Sequence, residues 1–413
     1  MAEGLQRPRS RLGCFIVLTA ALVAAVFNPG PGHAQVRTAS DPETRRSSDA
    51  RLRIAATRSR SEHRSENASP NRDRNNANTV AIISGNPSGT YLSIAHDLSV
   101  VLDDGANFRV LPIIGKGGAQ NLRDVRDLKG VDLGITQSVI LNAFRKTKEL
   151  GNIDEAITYI AKLYNEEMHI VVRADSGITT IDQLDGKKVN FGDVDSGTQL
   201  SARDIFERLG LKPIEVNIDQ ADALQQLQAG EIAATVLIAG KPAGLIAKVT
   251  ATEGFRLLPV PFAKELQADY LPAKLTGQDY PNLVAPGHPV DTIATGAVLI
   301  AYNWPRNSDH YRRIANFVDH FFPRLADFQK PPRHPKWSET NLAAVMPGWK
   351  RFPAAEEWLK RHGWAAPVTA EQRDQFNRFL KTHAQLTEAM TAADRDQLYQ
   401  EFLQWNEARK KRR

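Results

Sequence analysis

Between Thr79 and about residue 325, short apolar runs alternate with longer stretches whose apolar positions recur at helical spacing. Apolar runs bounded by Gly, Pro or Asn predict buried strands, and spacings of three and four predict amphipathic helices. The predicted strands cover residues 79–84, 108–114, 131–135, 168–173, 188–191, 214–216, 233–238 and 291–300. The predicted helices cover residues 91–102, 119–129, 180–184, 198–209, 221–229 and 309–322. This alternation predicts an α/β protein with parallel strands and right-handed crossovers.

The predicted elements form two successive groups of similar construction, which indicates two lobes. We expect the first lobe to contain residues 79–163 with 285–330, and the second to contain residues 164–284. The chain is then expected to cross between the lobes near residues 161–167 and again near residues 279–292.

The first 34 residues have the features of a cleavable signal peptide. Arg7, Arg9 and Arg11 precede an apolar run of 14 residues, Cys14–Phe27, which is too short for a membrane span. Small residues before Gln35 offer a cleavage site. We therefore expect a periplasmic protein. The one cysteine of the chain would leave with the signal peptide, so disulfides, thiolate catalysis and a cysteine-based zinc site are excluded.

Charge is concentrated at the ends of the chain. The formal net charge is +6, but residues 79–408 by themselves carry −5. Residues 35–78 are rich in Arg, Ser and Asn and predict a disordered basic leader, either a solvated tether or a segment for an anionic membrane surface. Because phosphate contacts need a basic face, nucleic-acid binding by the body of the chain is not expected.

The sequence of residues 331–413 predicts a helical tail, which holds five of the six tryptophans. Apolar residues at helical spacing (Phe376, Phe379 and Leu380, then Leu398, Phe402 and Trp405) follow a capping box that begins at Thr369. Such stripes are typical of core packing, with a partner-binding surface as the alternative. We expect the tail to dock on the outside of the lobes and to leave ligand binding intact.

Signatures of catalysis are weak in this sequence. It contains no His-Glu-x-x-His motif and no Gly-x-Ser-x-Gly elbow, and Gly115–Gln120 lacks the last glycine of a dinucleotide loop. We therefore expect no enzyme, no catalytic residue, no metal site and no cofactor.

Three loops that each follow a strand and open a helix are rich in Gly, Ser, Thr and Asn: Ser84–Tyr91, Gly115–Asn121 and Asp193–Gln199. Helix N-termini present unpaired N–H groups and the positive end of the helix dipole. In open α/β sheets, ligands bind beyond the carboxyl ends of the strands. The loops are therefore either ordinary turns and caps or a site for a small anion.

These loops also carry a family resemblance. Ser84–Tyr91, Gly115–Leu122, Val131–Gln137, His169–Gly177, Asp182–Lys187 and Asp195–Thr198 occur in an order that is similar to the TAXI class of solute-binding proteins. That class serves tripartite ATP-independent periplasmic (TRAP) transporters. The resemblance covers about residues 79–325 and implies a two-lobed type II periplasmic-binding-protein fold, here with an extra C-terminal helical tail.

The resemblance implies a receptor that captures a small anionic metabolite, an organic acid or an amino acid, by hinge closure and delivers it to TRAP-type permease subunits. The residues expected to bind the ligand are Ser88, Thr90, Tyr91, Gly117, Asn121, Gln137, Ser196, Gly197 and Thr198. Glu166 and His169 are further candidates or structural residues, and Lys116, Arg173 and Lys241 are candidate positive partners or surface charges.

Two positions depart from the family pattern. Leu92 stands where a second aromatic residue is usual, and Gly118 stands where many members carry Ser. The alternative function is a ligand-sensing interaction subunit that docks on a membrane sensor or an envelope partner, which the Trp-rich tail and the basic residues 409–413 would suit.

Overall fold

The computed structural model describes residues 76–105 and 107–364. All of these residues belong to one compact unit of the chain. The predicted signal peptide, almost all of the predicted leader and the two predicted apolar stripes of the tail lie outside the described residues. Within the described residues, no helix combines the length and the hydropathy that a membrane span requires.

The described elements follow the alternating pattern of the sequence. The strands are β1 (Thr79–Ile83), β2 (Arg109–Ile113), β3 (Leu133–Gln137), β4 (Ile157–Arg173), β5 (Lys188–Asn190), β6 (Ile214–Val216), β7 (Ala234–Ala239), β8 (Phe255–Leu257), β9 (Leu271–Leu275) and β10 (Val290–Tyr302). The α-helices are α1 (Tyr91–Leu102), α2 (Gly118–Asp127), α3 (Ser138–Thr147), α4 (Ile153–Ala156), α5 (Gly197–Arg208), α6 (Gln220–Ala229), α7 (Gly244–Ala247), α8 (Asp309–Phe321), α9 (Leu325–Phe328) and α10 (Pro353–Arg361). Short 3₁₀ turns cover Ile181–Leu184, Ala251–Glu253, Lys264–Leu266, Phe322–Arg324 and Pro335–Glu339.

In the described part of the chain, the strands form one sheet in the order β2-β1-β3-β10-β4-β7-β5-β6, with β8 paired to β4 and β9 to β10. β1 pairs in parallel with β2 and β3, and β5 pairs in parallel with β6 and β7. Each parallel group is joined by helical crossovers. The two groups are the sheets of two α/β lobes, so the predicted two-lobed α/β fold is confirmed.

Two long antiparallel strands, β4 and β10, run through both lobes. In the first lobe they pair with each other, whereas residues 167–171 of β4 pair with β7 and residues 290–294 of β10 pair with β9. The chain therefore passes between lobes at about residues 165–167 and 294–296. Both exchanges lie within continuous strands, without a turn between the lobes. The predicted lobe boundaries stay predictions.

Alternating side chains of the strands enter two apolar layers of the first lobe. Val80 and Ile82 of β1 are fully buried in the layer that includes α1 and α8. Ile83 enters the opposite layer, which includes Leu122 of α2 and extends into the second lobe. The period of two is that of a strand buried on both faces. It fixes β1 so that the loop after it opens toward the second lobe.

Residues 331–364 contribute to the core of the first lobe. The Trp337 ring is fully buried, and its centroid lies 4.5 Å from that of Phe328 and 5.8 Å from that of Phe321. Its Nε1 donates to Asp97 Oδ2 at 2.9 Å. Trp349 and Trp358 are buried as well, whereas Trp364 is 39% exposed. This part of the predicted tail is packed like the rest of the lobe.

Candidate functional site

Three strand-to-helix loops from the two lobes meet around one cavity. The loops after β1 and β2 lead into α1 and α2 of the first lobe, and the loop after β5 leads into α5 of the second lobe. The cavity has a volume of about 40 Å³. The lobes thus meet around a small, partly polar space.

Seven of the nine predicted binding residues line this cavity: Thr90, Tyr91, Gly117, Gln137, Ser196, Gly197 and Thr198. Gly197 begins α5, and Ser196 caps it by accepting a hydrogen bond from Gln199 N at 3.1 Å. The N–H groups of the first turn of a helix have no partner within the helix, so they are available to an anion.

The other two predicted residues lie outside the cavity lining. Asn121 is fully buried, and its Nδ2 donates to the carbonyl oxygens of Ser84 at 2.6 Å and Ile135 at 2.7 Å. Its amide nitrogen thus joins the residue after β1 to the middle of β3. Ser88 is buried in the first loop without contributing to the lining.

Two of the further candidates, Lys116 and Glu166, also line the cavity. The lining residues that sequence reasoning did not name are Gly85, Asn86, Gly89, Gly192, Asp193, Gln220, Leu237 and Ile238. Leu237 and Ile238 lie near the carboxyl end of β7, and Gln220 begins α6. Because ligands bind beyond the carboxyl ends of strands in α/β sheets, the position of Leu237 and Ile238 at the end of a predicted strand could have identified them. Glu166 lies in the middle of a strand, where no loop marks it.

Glu166 is the buried acid of the cavity. The Tyr91 hydroxyl donates to Glu166 Oε2 at 2.6 Å, and the side chain of Glu166 is almost completely buried. Burial raises the pKa of Glu166 to about 8, against the lowering effect of the hydrogen bonds from Tyr91 and Gln137. The carboxyl group is therefore mainly protonated at neutral pH, so it does not repel an anion from the helix N-termini.

The remaining charged candidates lie apart from the cavity, except Lys116, which lines it. Arg173 forms an ion pair with Asp175 at 3.1 Å, and Lys241 forms one with Asp279 at 3.0 Å. His169 is fully buried behind the cavity, where its ring bonds to Leu237 O and Tyr280 Oη. Burial lowers the pKa of His169 to about 4, so the ring is neutral and structural.

Hydrogen bonds and an ion pair join the lobes around the cavity. Asn86 Nδ2 donates to Asp193 Oδ2 at 3.1 Å, and Thr90 Oγ1 donates to Gly240 O at 2.7 Å. On the α2 side, Ser201 Oγ donates to Gln137 Oε1 at 2.6 Å and Arg123 lies 3.3 Å from Asp195. These contacts form only when the lobes are together.

Gly118 lies against the N-terminus of α5 of the second lobe. Its φ is +54°, and a Cβ atom on it would lie 2.4 Å from the backbone nitrogen of Gly197. No side chain fits between the two helix N-termini in this closed arrangement. This explains why the chain has glycine where the resemblance leads one to expect serine.

Within the described residues, no group of three or more His, Cys, Asp or Glu side chains is placed to hold a metal ion. The cavity residues supply backbone N–H groups, hydroxyls, amides, the Lys116 side chain, the protonated carboxyl group of Glu166 and the carboxyl group of Asp193, which accepts a hydrogen bond from Asn86. This set is suited to binding a small polar ligand.

A model of the NMT1-like family matches residues 82–314, which is more than half of the chain. The chain belongs to the NMT1-like family. The matched region contains all three loops, both long strands and every residue that lines the cavity. It ends before the C-terminal segment that packs on the first lobe.

Solved structures similar to this NMT1-like chain include periplasmic and regulatory proteins. The periplasmic binding protein BugD is 12% identical with a TM-score of 0.42, and the match covers 69% of this chain and 95% of BugD. A TctC solute-binding protein from Polaromonas is 17% identical with a TM-score of 0.34, over 59% of this chain and 83% of that one. The effector-binding domain of a BenM variant is 13% identical with a TM-score of 0.38, over 59% and 94%. The sheet order and the two continuous strands of this chain define its fold, the two-lobed type II periplasmic-binding-protein fold.

Proposed function

We propose that this chain is a periplasmic receptor that binds a small anionic metabolite, an organic acid or an amino acid, and delivers it to a membrane transporter. One observation carries the proposal: helix N-termini from both lobes converge on a single closed cavity. An anion there would be held by backbone N–H groups of both lobes at once. Its binding would favour the closed state, because the open state separates these groups.

The electrostatics of the cavity support an anionic ligand. The protonated Glu166 carboxyl group adds no negative charge at neutral pH, and Lys116 lies at the lining. The other acid of the lining, Asp193, accepts a hydrogen bond from Asn86 of the first lobe. Hydrogen bonds join the lobes around the cavity, so we infer that ligand entry requires the lobes to separate.

The transporter in this proposal is of the TRAP type, and the receptor is of the TAXI class. Their support is the order of the glycine-rich segments in the sequence. The alternative, a sensing subunit that docks on a membrane partner, is motivated in part by the tryptophans after residue 331. Trp337, Trp349 and Trp358 are buried in the first lobe, so they do not supply such a docking surface.

The test is ligand binding by the purified protein. We expect calorimetry and thermal shift to detect one class among organic acids and amino acids, because a ligand that binds only the folded state raises its stability. Absence of binding by every acid in the screen would contradict the proposal.

A matched pair of serine caps shows whether the α5 N-terminus binds the ligand. Ser196→Ala and Ser308→Ala each remove a side chain that caps a helix in the same way, but Ser308 caps α8, away from the cavity. Both variants should lose about 0.5–2 kcal/mol of stability. Only Ser196→Ala should also weaken ligand binding, by about tenfold or more for a lost bond to a charged group. Equal affinities of the two variants would show that Ser196 is only a cap.

A further inference from the structure

The segment His334–Glu339 lies beyond the family match. It contacts both lobes on the side of the cleft where β4 and β10 pass from one lobe to the other. Trp337 anchors this segment in the core of the first lobe. His334 and Lys336, which precede Trp337 in the segment, contact the second lobe.

Lys336 carries the main contact to the second lobe. Only 2% of its side chain is exposed, and its Nζ lies 2.6 Å from Glu167 Oε1. Glu167 begins the part of β4 that pairs with β7 of the second lobe. The other oxygen of Glu167 accepts a hydrogen bond from Lys241 N at 3.0 Å. The Lys336 ammonium is thus tied to the loop that follows β7.

The same loop touches the segment at two more points. His334 Nε2 lies 3.4 Å from Pro242 O. A Cβ atom on Gly240 would lie only 3.0 Å from Lys336 Cγ. On its other side, Gly240 accepts the hydrogen bond from Thr90, which lines the cavity. The loop after β7 is therefore enclosed between the C-terminal segment and the cavity wall of the first lobe.

Glu339 completes the charge balance of this cluster. Its carboxylate lies 2.7 Å from Lys336 Nζ and also accepts a hydrogen bond from Asn165 N at 3.0 Å. A buried lysine needs such partners, because the charged form is costly without them. Of its two carboxylate partners, Glu339 belongs to the segment itself, whereas Glu167 pairs with the ammonium only while the segment contacts β4.

We propose that Lys336 is a positioning residue that holds the loop after β7 against the first lobe and so stabilises the closed cleft. The segment after residue 331 then sets the balance between open and closed forms. A receptor whose closed form is less populated binds its ligand more weakly in proportion. This inference does not depend on which ligand the receptor takes.

The test measures lobe separation without any ligand. Spin labels are placed at Val100→Cys on α1 and Ile214→Cys on β6, two exposed positions on different lobes, in the full chain with Cys14→Ser. Pulsed electron–electron double resonance then gives the distribution of distances between the two labels. The variant is Lys336→Met with Glu167→Gln, because removing the lysine alone would leave a buried carboxylate without its partner. Lys330→Met is the control, since Lys330 pairs with Asp327 in an exposed ion pair nearby.

We expect a short-distance population in the unaltered receptor and in Lys330→Met. In the double variant, the ratio of closed to open forms should fall by about tenfold or more, as expected for a lost bond between charged groups. Identical distributions in the unaltered receptor and the folded double variant would overturn the proposal, and so would a receptor that shows only the long distance. If the double variant does not fold, Glu167→Gln alone decides in the same assay, because it removes the charge that Lys336 pairs with across the lobes while Glu339 keeps the ammonium paired.

Discussion

Replacing Gly118 with Ala should prevent the lobes from closing as far as they do here. A Cβ atom at this position would lie 2.4 Å from Gly197 N, 2.7 Å from Gly197 Cα and 2.8 Å from the Ser196 carbonyl carbon. These atoms are backbone atoms of the opposite lobe and cannot rotate away. Non-bonded carbon contacts are favourable only at about 3.5–4.0 Å, so the helix N-termini must separate by about 1 Å.

The cost has two parts that a matched variant separates. Gly118 has a φ of +54°, and Gly130 has a φ of +88° with no atom near its Cβ position. Alanine in the left-handed region costs about 1–2 kcal/mol at either position. Only Gly118→Ala also strains the bonds between the lobes, such as those from Asn86 and Thr90. Two lost bonds amount to about 1–3 kcal/mol, or roughly five- to hundredfold in the ratio of closed to open forms.

Lobe distances between labels at Val100→Cys and Ile214→Cys provide the assay, with thermal denaturation to compare stability. We expect Gly118→Ala to lose the shortest distances and to lose more stability than Gly130→Ala, which should keep the distances of the unaltered chain. If Gly118→Ala kept the distance distribution of Gly130→Ala, the close approach of Gly118 to Gly197 would not limit closure, and the reasoning would be refuted.

Two further predictions concern the buried acid and the C-terminal segment. The pKa of Glu166 is raised from 4.5 to about 8, so the folded protein holds a proton that the unfolded chain releases between these values. The free energy of unfolding should therefore fall as pH rises through that window, by up to about 1.4 kcal/mol per pH unit. Melting temperatures measured from pH 5 to 9 should show this slope for the unaltered protein and lack it for Glu166→Gln. Parallel curves for the two proteins would contradict the assignment. A chain that ends at residue 330 should aggregate or unfold, because it loses Trp337 and Trp358 from the first lobe, whereas a chain that ends at residue 364 keeps every described contact. Removing the Trp337 side chain alone should cost about 3–5 kcal/mol in denaturant unfolding, and a loss below 1 kcal/mol would show that the segment is only loosely attached.

The sequence by itself determined the α/β class and most of the elements around the site. The runs at 79–84, 91–102, 188–191 and 198–209 predicted β1, α1, β5 and α5 within one or two residues. Local periodicity is sufficient there because each element buries one continuous apolar stripe or run. The loops that open α1, α2 and α5 were recognisable for the same reason, since a strand and a helix mark both ends of each loop.

The first half of β4 and the helix α3 were missed. Residues 162–167 of β4 include Lys162, Asn165, Glu166 and Glu167, a polar run that does not look like a buried strand. It is buried because its polar groups find partners far along the chain: Glu166 bonds to Tyr91, and Glu167 bonds to Lys336. A window of local sequence contains neither partner, so the strand and its role at the crossing cannot be predicted from it.

The tertiary structure alone decided which residues of the loops face the cavity. Asn121 lies in one of the predicted loops, yet its amide donates to backbone oxygens after β1 and in the middle of β3. Glu166, in the middle of a strand, faces the cavity instead. The spacing of small and polar residues shows that a loop can approach a ligand, but the packing of two lobes determines the direction of each side chain. The place of Lys336 has the same cause: the predicted tail gave no sign of a buried cation, and the contact of the C-terminal segment with Glu167 is what buries it.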